Sequence, residues 1–96
     1  MKVRLSRNAQ AELTAVLEYI HERSPSGASR VLAEFDRAFE IISKQLRSGQ
    51  ATDDPQVRMK LIGMYPCKLF FTISADIIEI VHIRHAARRP WGTEGG

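Results

Sequence analysis

The chain has 96 residues, 44% hydrophobic, 26% charged and 7% aromatic, with a formal net charge of +3 at pH 7. That length suits one domain able to bury somewhat over ~60% of its unfolded surface, and its ordinary hydrophobicity excludes a disordered chain. No apolar run approaches the ~18 residues of a membrane helix, the opening Met1-Lys2-Val3-Arg4 lacks a signal-peptide core, and the one cysteine, Cys67, excludes an internal disulfide framework and a cysteine-built zinc site.

Lys2 to Leu5 alternates polar and apolar residues, as a short half-buried strand does. Ser6 then offers a side chain to cap a helix. Ala9, Leu13, Val16, Leu17 and Ile20 form a helical stripe reaching about Glu22. Ser24-Pro25-Ser26-Gly27 is rich in turn and capping residues and predicts a break. A longer stripe follows at Ala28, Val31, Leu32, Phe35, Phe39, Ile42 and Leu46, with Gly49 placed to end it. The short interval predicts an antiparallel helical hairpin.

Gln50 to Gln56 is polar, contains Asp53-Asp54-Pro55, and reads as a loop. From there the period changes to two. Val57, Met59 and Leu61 alternate with Arg58 and Lys60, and Gly63 to Pro66 marks a turn. Lys68 to Ile73 is aromatic and β-branched, and Ser74-Ala75-Asp76 predicts a hairpin loop. Ile77 to Ile83 is the most β-biased segment. It carries Ile78 and Ile80 on one face and Ile77, Val81 and Ile83 on the other, as a central strand does. The expected fold is α+β: an N-terminal strand, a helical hairpin, then three antiparallel strands in one sheet with the helices on one face. Residues 1–91 would form the domain and 92–96 a flexible tail. The chain as a whole is expected to be cytoplasmic, without a membrane role.

Splitting the charge at Pro55 is informative. Cations and anions balance up to Asp54; beyond it Arg58, Lys60, Lys68, Arg84, Arg88 and Arg89 face only Asp76, Glu79 and Glu94. The whole excess therefore lies in the strand-rich half, where asymmetry of this kind points to an anionic partner. Arg84, His85, Arg88 and Arg89 fall within six residues, followed by Pro90-Trp91. Trp91 is costly to leave in water and its amphipathic ring suits a binding surface. No Gly-rich phosphate loop, nucleophile elbow or metalloprotease helix is present. His82 and His85, three apart in a strand, fall on opposite faces and make no metal pair.

The pattern Val3-Arg4-Leu5-Ser6 leading into a helix, the amphipathic hairpin, and the closing run from Ile78 to Arg89 together resemble the RelE/ParE superfamily of bacterial toxins. The most specific part is His85-Ala86-Ala87-Arg88, and the resemblance extends from about Val3 to Trp91. It implies the toxin half of a type II toxin–antitoxin module, without a cofactor, in a hetero-oligomer with an antitoxin that wraps the toxin surface. Two activities are implied by the superfamily. ParE-like members stall DNA gyrase on cleaved DNA, for which Arg84, Arg88, Arg89 and Trp91 would bind the target. RelE-like members cut mRNA on the ribosome by attack of a ribose 2′-hydroxyl on the adjacent phosphate. For that chemistry Arg58 and Lys60 would hold the phosphate, Arg84 or Arg88 would stabilise the transition state, and His85 would act as base or acid.

Such nucleases often carry an arginine early in the third strand and a tyrosine near the C-terminus. This chain has Lys68 and Trp91 there, and an indole cannot pass the proton. The ParE-like branch is therefore the leading expectation, the endonuclease the alternative, and a degenerate toxin retaining only antitoxin binding a third. Ile41, outside the main helical stripe, is the expected antitoxin contact, with burial in the toxin's own core as the competing role.

Overall fold

The protein is described here by a computed structural model covering residues 2–45, 49–62 and 67–85, with the backbone alone for His85. The element order is β1 (Lys2–Leu5), α1 (Arg7–Arg23), α2 (Pro25–Lys44), β2 (Gln50–Ala51), β3 (Arg58–Leu61), β4 (Cys67–Ser74) and β5 (Ile77–His85). The expected tail at 92–96 lies outside the described residues.

One residue separates the two helices. Ser24 is extended at φ −159°, closes α1 by donating its N–H to Ile20 O at 2.8 Å, and opens α2 by accepting from Gly27 N–H through its side chain at 3.0 Å. The following Pro25 forces this: proline disfavours a helical residue before it yet suits the first helical position. The break is thus narrower than the four residues expected from composition. α2 buries Ala28, Phe35, Ala38 and Ile42, and its Phe35 and Phe39 rings stack tilted with centroids 6.2 Å apart. Leu32, part of the apolar stripe, is 42% exposed and does not join the core.

The sheet has five strands in the order β1-β5-β4-β3-β2. The expected N-terminal strand plus three further strands is thus extended by a fifth, the two-residue β2 at the sheet edge. β1 runs parallel to β5, pairing Val3 with Ile78 and Leu5 with Ile80, while β2–β3, β3–β4 and β4–β5 are antiparallel. Gln50 and Ala51, read as loop, pair with Met59 and Arg58. Two paired residues are too few to leave a period in the sequence, and parallel pairing between the two ends of a chain leaves no local trace.

A bulge in β5 decides which residues share a face. Phe71 pairs with Ile80 but Phe70 with His82, so Val81 has no partner in β4. One extra residue reverses the alternation beyond it. Ile83, expected opposite Ile78 and Ile80, consequently joins them in the core with Leu69, Phe71 and Cys67, all at most 3% exposed. Ala9 of α1 and Phe35, Ala38 and Ile42 of α2 belong to the same cluster, which places both helices on that face. Burying an isoleucine of this kind contributes about 1.5–3 kcal/mol.

Gly49 does not end α2 as expected; the helix closes at Lys44 with Gln45 as its cap. Gly49 instead packs on the sheet, where an added Cβ would lie 2.5 Å from Cζ of Phe71 and 3.2 Å from Cβ of Arg58. Phe71 is fully buried and cannot swing away. We expect Gly49→Ala to cost about 1–3 kcal/mol through overpacking. Thermal unfolding would show this as a fall in Tm of roughly 5–15 °C. An unchanged Tm would contradict the close approach.

Candidate functional site: the basic end of the sheet

Pairing register assigns each cation to a face. Arg58 pairs with Phe71 and Lys60 with Leu69, so both lie on the helix-bearing side of the sheet. α1 packs on β5 and α2 on α1 and β1, while on β3 Arg58 is exposed and Lys60 half-buried. Arg58 also donates from Nη1 to Gly49 O at 3.3 Å. The alternation expected in β3 holds, but its apolar members fall on the face away from the helices, where Met59 pairs with the buried Phe70 and Leu61 is 51% exposed. Lys68 pairs with both Leu61 and Arg84 on that same face. The structure therefore groups Arg58 with Lys60, and Lys68 with Arg84, on opposite sides.

His85 pairs with Cys67 across β4–β5. Arg88, Arg89 and Trp91 lie outside the described residues. Ile41 is half-buried on α2 beside the fully buried Ile42, and its carbonyl accepts the Gln45 N–H at 2.7 Å.

Sequence reasoning missed Glu12. β1 ends at Leu5, and beyond Ile80 no strand among the described residues pairs with that edge of β5. α1 takes over at that edge. Ser6 donates its N–H to Ile80 O at 2.9 Å and its hydroxyl to Val81 O at 3.1 Å, while accepting Ala9 N–H at 3.0 Å as the helix cap. One turn and a half further on, Glu12 Oε1 accepts the Ile83 N–H at 2.8 Å. Its Oε2 lies 3.4 Å from His82 Nδ1 and 3.8 Å from Arg84 Nη1. In sequence Glu12 is simply an acid beside Leu13 on a helix flank. Its partners are about 70 positions away, and no spacing rule connects them.

Glu12 and Arg84 are both partly withdrawn from water, at 26% and 32% side-chain exposure. A charge-assisted bond to a strand N–H that would otherwise be half-buried and unpaired is worth about 1.5–3 kcal/mol. On the open face near β1, Arg4 and Glu79 pair at 3.4 Å across β1–β5, a mostly exposed bridge of small value. Among the described residues no group of three or more His, Cys, Asp or Glu could hold a metal ion. No described helix is long and apolar enough to cross a membrane.

Burial pushes the Cys67 thiol from the ordinary 9.0 up to about 11; a hydrogen bond from the Lys68 backbone opposes the rise and the Glu12 charge adds to it. Because the folded value lies above the unfolded one, the neutral thiol's contribution is complete below about pH 9. It is lost as pH rises toward 11. We expect the Tm advantage of the native chain over Cys67→Ala to narrow across that interval, and Cys67 in the folded chain to resist alkylation at pH 8. Rapid labelling at pH 8 under native conditions would contradict its placement.

A helical hairpin thus lies on a mixed five-stranded sheet, with Lys68 and Arg84 paired across its last two strands in chain order. The chain matches the family described as "ParE toxin of type II toxin-antitoxin system, parDE" over residues 3–90, and it belongs to that family. It is 29% identical over 80 residues to "Toxin RelE2" of Caulobacter vibrioides, an alignment covering 83% of this chain and 89% of that protein. Its fold is similar to a chain of the structure titled "Chromosomal ParDE TA system from P. aeruginosa". The TM-score is 0.79 at 19% identity, over 88% of this chain and 95% of that one.

Proposed function

We propose that this toxin is a ParE-like inhibitor of DNA gyrase, cytoplasmic, without catalysis of its own, and neutralised by a cognate antitoxin in a hetero-oligomer. The carrying observation is the division of the cations between two faces. An RNA-cleaving site needs a base, an acid and cations around one phosphate. Arg58 and Lys60 stand on the helix side of β3, the side to which the strand register also assigns position 85, whereas Arg84 stands two strands away on the opposite side and leans toward Glu12. This distribution suits an extended contact surface, with Arg84, Arg88, Arg89 and Trp91 meeting a macromolecule, better than a catalytic cleft. The match to the ParE family over residues 3–90 supports the same branch.

The relative named Toxin RelE2 favours a second reading, the ribosome-dependent endonuclease with His85 at its centre. Two assays on the purified chain separate the readings: supercoiling by gyrase, and cleavage of mRNA on ribosomes. We expect loss of supercoiling and no RNA cuts, with His85→Ala retaining toxicity and Trp91→Ala or the Arg88/Arg89 double alanine losing it. Ribosomal cuts abolished by His85→Ala would replace the first reading by the second.

For the antitoxin we propose a contact including Ile41, half-buried on α2 and available in part to a partner's apolar side chain. Burying an aspartate there would leave an unpaired charge. Ile41→Asp is expected to weaken antitoxin binding by about tenfold or more in a titration. Unchanged affinity would remove Ile41 from the interface.

A further inference from the structure

Glu12 meets three consecutive residues of β5. Capping the open strand edge requires one acceptor, and Oε1 supplies it to the Ile83 N–H at 2.8 Å. The second oxygen is turned to side chains, with His82 Nδ1 at 3.4 Å and Arg84 Nη1 at 3.8 Å. The carboxylate thus does more than a neutral cap could do.

Arg84 has a reason to need it. It pairs directly with Lys68 across β4–β5, and like charges opposite one another on one sheet face repel. A long cationic side chain in that position would be driven off in whatever direction lowers the repulsion. Glu12 lies on the other edge of β5, away from β4, and offers an opposite charge there. Both groups are about three-quarters or two-thirds shielded, which strengthens the attraction relative to a fully solvated pair. His82 lies on the same face as Arg84 and beside the same carboxylate.

We propose that Glu12 is a positioning residue of the toxin: its charge sets the direction in which Arg84 is presented at the end of β5, and through it the strength of target engagement. The proposal rests on the reading of Arg84 as a target-binding residue. Coupling of this kind through one intervening side chain is expected to be moderate in size.

The test uses the full chain with Glu12→Gln, Arg84→Ala, their double variant and Ser6→Ala. Glutamine retains an oxygen for the Ile83 N–H but no charge. Glu12→Gln is expected to lose about fivefold or more in potency against gyrase per folded molecule, with Tm lowered by roughly 4–8 °C as the bond to Ile83 passes from charge-assisted to neutral. Adding it to Arg84→Ala should cost nothing further, because its effect runs through Arg84. Ser6→Ala removes a cap at the same edge and should lower Tm while leaving potency alone, measured where the variant is fully folded. Should the amide variant not fold, Glu12→Asp retains the charge on a shorter stem and is expected to lose potency in part. Native potency in Glu12→Gln or Glu12→Asp overturns the proposal, and so does a loss that adds to that of Arg84→Ala. If the native chain leaves gyrase unaffected, the target reading fails separately, and the same set is scored by growth arrest on induction. Equal arrest by native and Glu12→Gln chains, or no arrest by the native chain, then overturns the positioning role.

Discussion

β5 continues five residues beyond the point where β1 stops, and the rest of the molecule is organised around that unpaired edge. Backbone groups facing it must find partners, since a buried N–H or carbonyl left alone costs as much as several favourable contacts supply. α1 provides those partners in order along its first two turns. Ser6 takes Ile80 and Val81, and Glu12 takes Ile83. The helix is thereby set at a defined height on the sheet, with Ala9 pressed fully into the core between the two anchoring residues. The hairpin brings α2 down beside it, and Phe35, Ala38 and Ile42 close the core.

The bulge at Val81 belongs to the same arrangement. By adding one residue it turns Ile83 inward, which extends the apolar face of β5 by a further layer, and it brings His82 and Arg84 to the open face. A strand with regular alternation beyond Ile80 would have turned His82 and Arg84 inward and left Ile83 outside. Stability and the presentation of charge are therefore decided by one irregularity. The cations on β3 are governed separately: Arg58 and Lys60 sit on the helix side, Arg58 exposed and Lys60 half-buried, while α1 is seated over β5.

Much of the fold was legible from residue order. The alternation at Lys2–Leu5, the stripe containing Phe35 and Ile42, and the β-branched run Ile77–Ile83 each mark a local element, because their periods follow from backbone geometry. Ser6 was readable as a cap for the same reason. Other features were not. Gly49 looks like a helix terminator but exists to let the backbone touch Phe71, a contact 22 positions away. Gln50–Ala51 carries no strand signal because its pairing depends on Met59 and Arg58 already lying beside it.

The candidate site divides in the same way. The concentration of positive charge in the second half, and its focus at Arg84 to Arg89, is a property of composition along the chain and needs no structure to be seen. The elements, the apolar stripes and the family resemblance are likewise written in local order. Tertiary structure alone decided that β1 lies parallel to β5, that Arg58 and Lys60 stand on the opposite face from Arg84, and that Glu12 grips the last strand. The reason is physical: register and bulges are settled by contacts between segments far apart in the chain, and a side chain's face changes with each residue of register.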